Sequence, residues 1–385
     1  MLVKGLLYCS FLTGLLFLSC NNPKASRSPG FEQPVEDSGI KYAKRFSIVN
    51  TGEIALVYLF GHRKNHDTTA AYVLSKDTVG LRQRYKNYEI IKRPCQKIAA
   101  LSSIYAAMFC ELGESERVAA IDNIDYINNE EIIRKFERGQ LKELAKTPVL
   151  DLEQAVTLGP DIIFTFGMGD GLQDVDRKLK LSGLPVAVSV DHLEESPLAR
   201  AEWIKFFAAF VDRKKEADSI FKQVEENYLK ILKLSTATRT KPSVFSETKF
   251  GDVWYMPGGK SYVARILRDA GAHYLWADNN DVGSLPLSFE QVYAKAKEAD
   301  YWINLPLVKS KKELISYETR YGEFKAYKSG MLFNNTKHSN SKGYSIYWET
   351  GMIHPERILS DLSQIFHPEL KSQINKDLYY YQPLK

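Results

Sequence analysis

A stretch that occurs twice constrains the fold of this chain most strongly. The first copy begins Leu152-Glu153-Gln154 and, after a short helical run, reaches Asp161 and an apolar strand. The second copy begins Phe289-Glu290-Gln291 and reaches Asp300 and another apolar strand at nearly the same spacing. Each copy therefore predicts a short helix, a turn and a buried strand. Two such copies in one chain indicate two similar lobes.

The length and composition agree with two folded lobes. A chain of 385 residues exceeds one ordinary core and predicts about two domains of ~150 to 200 residues. Its 44% hydrophobic and 26% charged content is typical of a folded protein. The net charge of +5 is spread along the chain instead of forming a basic stripe, so we expect no nucleic-acid partner.

The N-terminus reads as a targeting segment. Lys4 precedes an apolar run from Leu6 to Leu18 that is too short to span a bilayer, which predicts a signal peptide over residues 1–19. The run ends in Leu18-Ser19-Cys20, which resembles the lipobox of bacterial lipoproteins and implies an acylated Cys20. Phe17 departs from that pattern, and ordinary cleavage with a free Cys20 is the alternative. Residues 20–43 then form an acylated tether, which predicts a periplasmic protein that is lipid-anchored to a membrane.

Two further cysteines leave their redox state open. Cys95 and Cys110 are able to form a disulfide in an oxidising compartment or to stay as two buried thiols. No Cys/His spacing fits a zinc site, so the sequence predicts no metal centre.

The first lobe, residues 44–212, alternates strands with helices. A leading β-hairpin at 44–76 is expected to decorate one edge. Apolar strands follow at Ile98–Leu101, Val118–Ile121 and Val186–Val190, and their lack of polar alternation predicts a parallel sheet covered on both faces.

One long helix is expected to connect the lobes. Within residues 213–240, an apolar stripe runs through Ala217, Phe221, Val224 and Tyr228 at helical spacing. The second lobe then covers residues 241–385. The predicted fold is α/β, with two lobes of mostly parallel sheet flanked by helices, joined by that helix, and a ligand cleft between the lobes.

Ligands of such sheets bind beyond the carboxyl ends of the strands. In the first lobe this rule nominates Ser103, Tyr105, Tyr126, Phe166 and Met168. The last two belong to a glycine-rich segment that fails the GxGxxG spacing, so it predicts a flexible cleft loop and no nucleotide. Phe166 and Met168 are either apolar ligand contacts or core residues.

The second lobe offers aromatic candidates. Trp254 and Tyr255 lie in a glycine-rich segment and either stack on a ligand or pack on their own lobe. Gly259-Lys260-Ser261 imitates a phosphate-binding loop, but Trp254 stands where that motif needs glycine. Lys260 still precedes a predicted helix whose N-terminus suits an anionic group. Trp348 is expected to face the cleft ahead of the closing helix.

The layout resembles the substrate-binding proteins of ABC importers in the iron-siderophore and cobalamin class, over about residues 90 to 375. It is most similar to a Bacteroidetes-type lipoprotein branch. The motifs that carry the resemblance are Lys97-Ile98-Ala99-Ala100-Leu101-Ser102, Glu111-Leu112-Gly113, Val118-Ala119-Ala120-Ile121, Leu152-Glu153-Gln154, Pro160-Asp161-Ile162-Ile163, Gly183-Leu184-Pro185-Val186, Arg200-Ala201-Glu202-Trp203-Ile204, Pro257-Gly258-Gly259-Lys260-Ser261 and Phe366-His367-Pro368-Glu369.

The resemblance implies a monomeric binding protein without chemistry of its own. Its partners would be a permease dimer and a small-molecule metal complex, and it would need no cofactor. Glu153 and Glu290 match the positions that dock onto permease arginines in this class, and two charges at a fixed separation would steer such a contact. Read from the residues alone, both carboxylates only offset helix dipoles.

The resemblance implies a siderophore-type iron complex or a corrinoid as ligand. Tyr126, and Trp254 or Tyr255, match aromatic positions of the cobalamin subgroup. Thr147 and Ser284 stand where two further aromatics belong, which argues against cobalamin itself. The competing hypothesis is an enzyme acting on a metallated tetrapyrrole or siderophore. It would use His192, His273 or Glu247, although no nucleophile elbow or Ser/His/Asp order supports it.

Overall fold

The computed structural model describes residues 39–61, 67–145, 149–305, 308–374 and 377–385. The predicted signal peptide, Cys20 and nearly all of the predicted tether lie outside these residues. Within these ranges, no helix is long and apolar enough to cross a membrane.

The elements are numbered here in chain order. The strands are β1 (Phe46–Thr51), β2 (Ile54–Phe60), β3 (Thr68–Ser75), β4 (Glu89–Lys92), β5 (Ile98–Ala100), β6 (Val118–Ile121), β7 (Lys142–Glu143), β8 (Ile162–Phe166), β9 (Val186–Ser189), β10 (Ser243–Ser246), β11 (Lys249–Phe250), β12 (Val253–Pro257), β13 (His273–Tyr274), β14 (Ser284–Leu287), β15 (Tyr301–Ile303), β16 (Leu332–Asn334) and β17 (Gln382–Pro383). The helices are α1 (Leu81–Arg84), α2 (Ser103–Glu111), α3 (Glu130–Glu137), α4 (Leu152–Leu158), α5 (Arg177–Leu181), α6 (Pro197–Ala201), α7 (Ile204–Val211), α8 (Lys214–Thr236), α9 (Tyr262–Asp269), α10 (Phe289–Ala296), α11 (Lys311–Tyr317), α12 (Lys325–Ser329), α13 (Ile346–Thr350) and α14 (Pro355–Phe366).

Each lobe is built on a five-stranded sheet. The first sheet has the order β7-β6-β5-β8-β9, and all of its pairs are parallel. The second has the order β13-β10-β15-β16-β17, parallel except for the terminal strand β17. A small antiparallel sheet, β11-β12-β14, accompanies the second lobe. The α/β fold with two lobes of mostly parallel sheet is therefore confirmed.

The two aspartates of the duplicated stretch perform the same task in the two lobes. The Asp161 carboxylate accepts hydrogen bonds from the backbone N–H of Gln96 at 2.6 Å and of Lys97 at 2.9 Å, just before β5. The Asp300 carboxylate accepts from the N–H and the hydroxyl of Ser243, both at 2.8 Å, at the start of β10. Each aspartate thus ties its own strand to the neighbouring parallel strand, which explains why the pattern recurs.

The long helix α8 joins the lobes. Its 23 residues bury the stripe that includes Ala217, Phe221, Val224 and Tyr228. The Tyr228 hydroxyl donates to the Asp269 carboxylate at 2.8 Å and so fixes α8 to α9 of the second lobe. A continuous helix packed in this way acts as a stiff connection between the lobes.

The leading strands are more than an edge decoration. They form a separate four-stranded sheet, β1-β2-β3-β4, whose inner face packs into the core of the first lobe. Phe46 lies 4.8 Å from Trp203 between ring centroids, and the buried Tyr72 hydroxyl accepts a hydrogen bond from the Val188 N–H at 3.0 Å. The expectation of an edge decoration is wrong because the apolar inner face of this sheet covers α7 and β9.

Both cysteines within the described ranges are free thiols. Cys95 is buried and Cys110 is partly buried. Burial raises the pKa of each thiol to about 12, so neither is a reactive thiolate near neutral pH.

Candidate functional site

A cavity of about 430 Å³ lies between the two lobes. Its walls include residues just beyond the carboxyl ends of parallel strands: Glu247 directly after β10, His192 three residues after β9 and Ile104 four residues after β5. The second lobe adds Tyr255, Ser261, Tyr262, Val263, Tyr347 and Trp348. The cavity therefore occupies the place where α/β sheets bind ligands, at the carboxyl ends of their strands.

Three larger grooves lie elsewhere in the described part of the chain. One of about 680 Å³ runs between α8 and the start of α14, and one of about 620 Å³ separates the β1-β2-β3-β4 sheet from α7 and α8. A third, of about 570 Å³, lies beside the edge strand β7. None of the three is lined by residues at the carboxyl ends of the central strands β5, β8, β10 and β15. Position in the fold therefore favours the smaller interlobe cavity as the ligand site.

The two aromatic residues of strand β12, Trp254 and Tyr255, face opposite sides of the strand. Tyr255 lines the cavity and is 48% exposed. Trp254 is fully buried, and its indole N–H donates to the Ser246 carbonyl at 3.0 Å. Because successive residues of a strand face opposite sides, only one of these two side chains can reach the cavity. The prediction of Trp254 as a ligand contact is wrong, since its ring packs against Phe245 and Trp302.

In helix α2, only one of the neighbouring residues Ile104 and Tyr105 reaches the cavity. Tyr105 is buried in the first lobe, with its ring 5.2 Å from that of Phe207. Its predicted ligand role is wrong because the helix turns this side chain into the core. Ile104 lines the cavity instead. Ser103, the first residue of α2, is partly exposed but outside the cavity lining.

Helix α13 presents an aromatic side chain to the cavity. Trp348 lines it and is 57% exposed. The next residue, Glu349, is buried and accepts hydrogen bonds across the lobe boundary from the backbone N–H groups of Asn128 at 2.8 Å and Asn129 at 3.2 Å. These bonds hold α13, and with it Trp348, against the first lobe.

Three further first-lobe candidates, besides Ser103 and Tyr105, lie outside the lining of this cavity. The Tyr126 ring packs edge-on against Tyr344, with the centroids 4.6 Å apart. Phe166 and Met168 are exposed, at 60% and 65%, and so are not core residues.

The segment that follows Phe166 is tightly held. The N–H groups of Met168, Gly169 and Asp170 all donate to one oxygen of Asp174, at 2.8 to 3.0 Å. One side chain thus joins three consecutive backbone N–H groups of this segment, and the flexibility of the loop stays a prediction.

The glycines before α9 serve close packing. A Cβ on Gly258 would lie 2.3 Å from the Asp281 carbonyl oxygen, and one on Gly259 would lie 2.2 Å from that of Asn279. Lys260 is exposed and outside the cavity lining. The hydroxyl of Ser261 accepts from the Ala264 N–H at 3.1 Å and starts the helix. The N-terminus of α9 then faces the cavity through Ser261, Tyr262 and Val263.

Sequence reasoning missed Arg200, which lines the cavity. Its side chain is only 17% exposed, and its guanidinium lies 4.6 Å from the centroid of the Tyr262 ring in the opposite lobe. The carboxylate paired with it, Asp191, is 3.7 Å away. The resemblance marked Arg200 as part of a motif but assigned it no role.

Glu247 and His192 contribute titratable groups to the cavity. Burial raises the pKa of the Glu247 carboxyl to about 8, although a hydrogen bond with Asn304 opposes the shift. His273 lies on the edge strand β13 and outside the lining. No group of three His, Cys, Asp or Glu side chains that could hold a metal ion occurs in the described part of the chain.

The two glutamates of the duplicated stretch lie on the surface. Glu153 and Glu290 each occupy the first turn of a short helix, α4 and α10, and both are exposed. The Glu290 carboxylate pairs with Arg320 at 2.9 Å, whereas Glu153 has no ion pair with another described residue. Neither lines the interlobe cavity.

Comparison with known proteins agrees with this architecture. An uncharacterized lipoprotein of Methanocaldococcus jannaschii is 28% identical over 299 residues, which cover 74% of this chain and 68% of that protein. Helicobacter pylori CeuE, solved as a complex with nickel and histidine, superposes with a TM-score of 0.56 at 18% identity, covering 74% of this chain and 87% of CeuE. The periplasmic heme-binding protein RhuT of Roseiflexus superposes with a TM-score of 0.53 at 18% identity, covering 71% and 98%.

The family model described as periplasmic binding protein matches residues 98–336. The match begins at β5, after the β1-β2-β3-β4 sheet, and includes strands of both lobes and the whole of α8. The chain belongs to the periplasmic binding protein family.

Proposed function

We propose that this chain is the lipid-anchored substrate-binding component of an ABC importer. It captures a small metal complex, of the siderophore-type iron or corrinoid class, and delivers it to a membrane permease. The single observation that carries the proposal is the interlobe cavity, which both lobes line and to which Tyr255 and Trp348 present accessible aromatic surface. Exposed rings at the mouth of a cavity suit a bulky, partly apolar ligand.

The relatives support the class of ligand and the location. RhuT is a heme-binding protein of the same fold, and the Methanocaldococcus relative is a lipoprotein. A lipoprotein relative agrees with the predicted acylation of Cys20, which would hold the chain at a membrane outside the cytoplasm. Glu153 and Glu290 are the contacts that we assign to the permease, one on each lobe.

We favour binding over catalysis. His192 and Glu247 share the cavity, but no hydrogen bond between them occurs within the described residues. A nucleophile that is activated by a neighbouring general base would need such a contact.

Isothermal titration tests the proposal directly. Purified protein that starts at residue 39 is titrated with a ferric siderophore, haemin and cyanocobalamin. We expect one class to bind at a single site and binding to weaken on Trp348→Ala. Absence of binding to all three ligands would refute the proposal, and consumption of a bound complex would favour the enzyme hypothesis.

A further inference from the structure

His354 lies between two carboxylates that come from different lobes. Its Nδ1 is 3.1 Å from Oε1 of Glu356, in the first turn of α14, and its Nε2 is 3.2 Å from Oε1 of Glu111, the last residue of α2 in the first lobe. We propose that His354 is a pH-sensitive clasp, which holds the two lobes together while its ring is charged and weakens when the ring is neutral. The inference goes beyond the proposed function, because the clasp lies outside the interlobe cavity and needs no ligand to act.

The contacts of the His354 ring require a charged imidazole. A neutral imidazole has one N–H donor and one nitrogen lone pair, so it serves one carboxylate and turns a lone pair toward the other. The imidazolium ion has two N–H groups and serves both. His354 is 6% exposed, and its Nε2 is closed to solvent, so water cannot replace the lost contact. Loss of the proton therefore costs the protein the contact with one of the two carboxylates.

The two carboxylates also change the acidity of the ring. Burial alone would lower the His354 pKa, but the contacts with Glu111 and Glu356 outweigh burial and raise this pKa above its ordinary value of 6.5. The pKa of the Glu111 carboxyl is lowered in turn, chiefly by its contact with His354. Because the histidine pKa is raised in the folded chain, the stabilisation is complete below pH 6.5 and is lost as the pH rises through the raised value.

Other ionisable groups surround the ring at a greater remove. Arg357 of α14 opposes the rise in the His354 pKa, and its guanidinium lies 4.8 Å from the centroid of the Tyr379 ring. Lys230 of α8 lines the same groove and is exposed. Glu349 of α13 already accepts two backbone N–H groups of the first lobe. The pair of carboxylates at hydrogen-bond distance therefore dominates the field at the ring.

The clasp joins the two elements that carry cavity residues. Helix α2 places Ile104 in the cavity wall at its beginning and Glu111 at its end. Helix α13 carries Trp348, packs against α2 and lies just before His354. The Glu111 side chain is 35% exposed and can turn to solvent once the ring loses its charge. Raising the pH should therefore loosen α13 from α2 on the side of the molecule away from the ligand.

Backbone amides at the lobe boundary report this loosening. The N–H groups of Asn128 and Asn129 in the first lobe donate to Glu349 of the second lobe, so separation of the lobes exposes them to exchange. Hydrogen exchange is measured from pH 6 to 9 without ligand and is corrected for its intrinsic dependence on pH. Amides of β5 serve as the internal reference, because β5 is a buried central strand of one lobe.

The variants are His354→Gln, Glu111→Gln and His273→Gln. His273 is an exposed histidine of β13, outside the groove and the cavity, and its replacement is the matched control. Glu247, which also titrates in this range, is present in every variant, so its contribution cancels in the comparison. Carbon-13 NMR of labelled histidine follows the His354 pKa directly.

We expect the protection of Asn128 and Asn129 to fall about tenfold between pH 6 and 9 in wild type and in His273→Gln, as for loss of one hydrogen bond to a charged group. His354→Gln should show the lower protection at every pH. Glu111→Gln should reduce the pH dependence and lower the His354 pKa.

Two outcomes refute the clasp. One is the same pH dependence of protection in wild type and His354→Gln, and the other is a His354 pKa that Glu111→Gln leaves unchanged. If His354→Gln does not fold, Glu111→Gln supplies the exchange test. The result is independent of the proposed function, since a chain that shows the clasp but binds no siderophore, haemin or cyanocobalamin would refute that function alone.

Discussion

Glu247 and Asn304 directly follow two neighbouring parallel strands, and both have a positive φ. Glu247 follows β10 with φ of 64°, and Asn304 follows β15 with φ of 53°. Their side chains share a hydrogen bond, and the Asn304 Oδ1 also accepts from the Tyr381 hydroxyl at 2.6 Å. Positive φ is costly for residues with a Cβ and concentrates at functional sites. Here it places a carboxyl group in the wall of the interlobe cavity.

Replacing this carboxyl should change how stability depends on pH. The Glu247 pKa is raised from 4.5 to about 8 by burial, so between these values the folded chain holds a proton that the unfolded chain releases. The free energy of unfolding of wild type should therefore fall as pH rises through this window, by at most about 1.4 kcal/mol per pH unit. Glu247→Gln should remove this slope, as measured by urea unfolding from pH 5 to 9.

The matched control is Glu298→Gln, which alters an exposed glutamate of the same lobe. It should keep the wild-type slope. Parallel pH profiles for wild type and Glu247→Gln would contradict a protonated carboxyl in the cavity wall.

Adjacent residues of β12 should separate stability from binding. Trp254→Ala should lower the free energy of unfolding by about 3 to 5 kcal/mol, because it empties a packed aromatic site. Tyr255→Ala should cost less than about 1 kcal/mol, because this ring is half exposed, and should weaken ligand binding. Guanidinium unfolding and titration with the ligand found for wild type measure both effects. Loss of binding in Trp254→Ala alone, with native stability, would reverse the assignment.

The sequence predicts features that depend on local patterns, but not those that depend on contacts between distant parts of the chain. The apolar strands and the two aspartates are local patterns, and they predict the lobes because burial and strand pairing impose them directly. Alternation along β12 predicts that one of Trp254 and Tyr255 faces the cavity. Which of the two does so depends on the side of β12 that packs against the five-stranded sheet of the second lobe. Arg200 reads as a surface residue of a short helix. It becomes part of a cavity only because Tyr262, from the other lobe, packs over it.

The contact of Glu349 with α3 should limit how the lobes move. Its carboxylate is the acceptor for two backbone N–H groups at the start of α3, those of Asn128 and Asn129. Glu349→Ala should lower the free energy of unfolding by about 1 to 2 kcal/mol, because it leaves two partly buried donors without their acceptor. Hydrogen exchange should accelerate at Asn128 and Asn129 while amides of β5 stay protected. Glu131→Ala, on the exposed face of the same helix, is the control, and equal exchange in both variants would exclude an interlobe restraint.

The surface glutamates Glu153 and Glu290 differ in their ion pairs, and this difference should affect docking to the permease. Glu153 has no ion pair within the described residues, whereas Glu290 is held by Arg320, which also pairs with Glu318 at 2.9 Å. A permease arginine would have to compete with Arg320 for Glu290. Arg320→Ala should therefore strengthen docking, and Glu153→Ala and Glu290→Ala should each weaken it. The double variant Glu153→Ala/Glu290→Ala should abolish uptake of the labelled ligand.

Docking is measured as binding to permease in proteoliposomes, with Glu298→Ala as an exposed control. Because opposite charges steer this contact, added salt should weaken the wild-type complex more than the double variant. Normal uptake by the double variant would remove both glutamates from the interface.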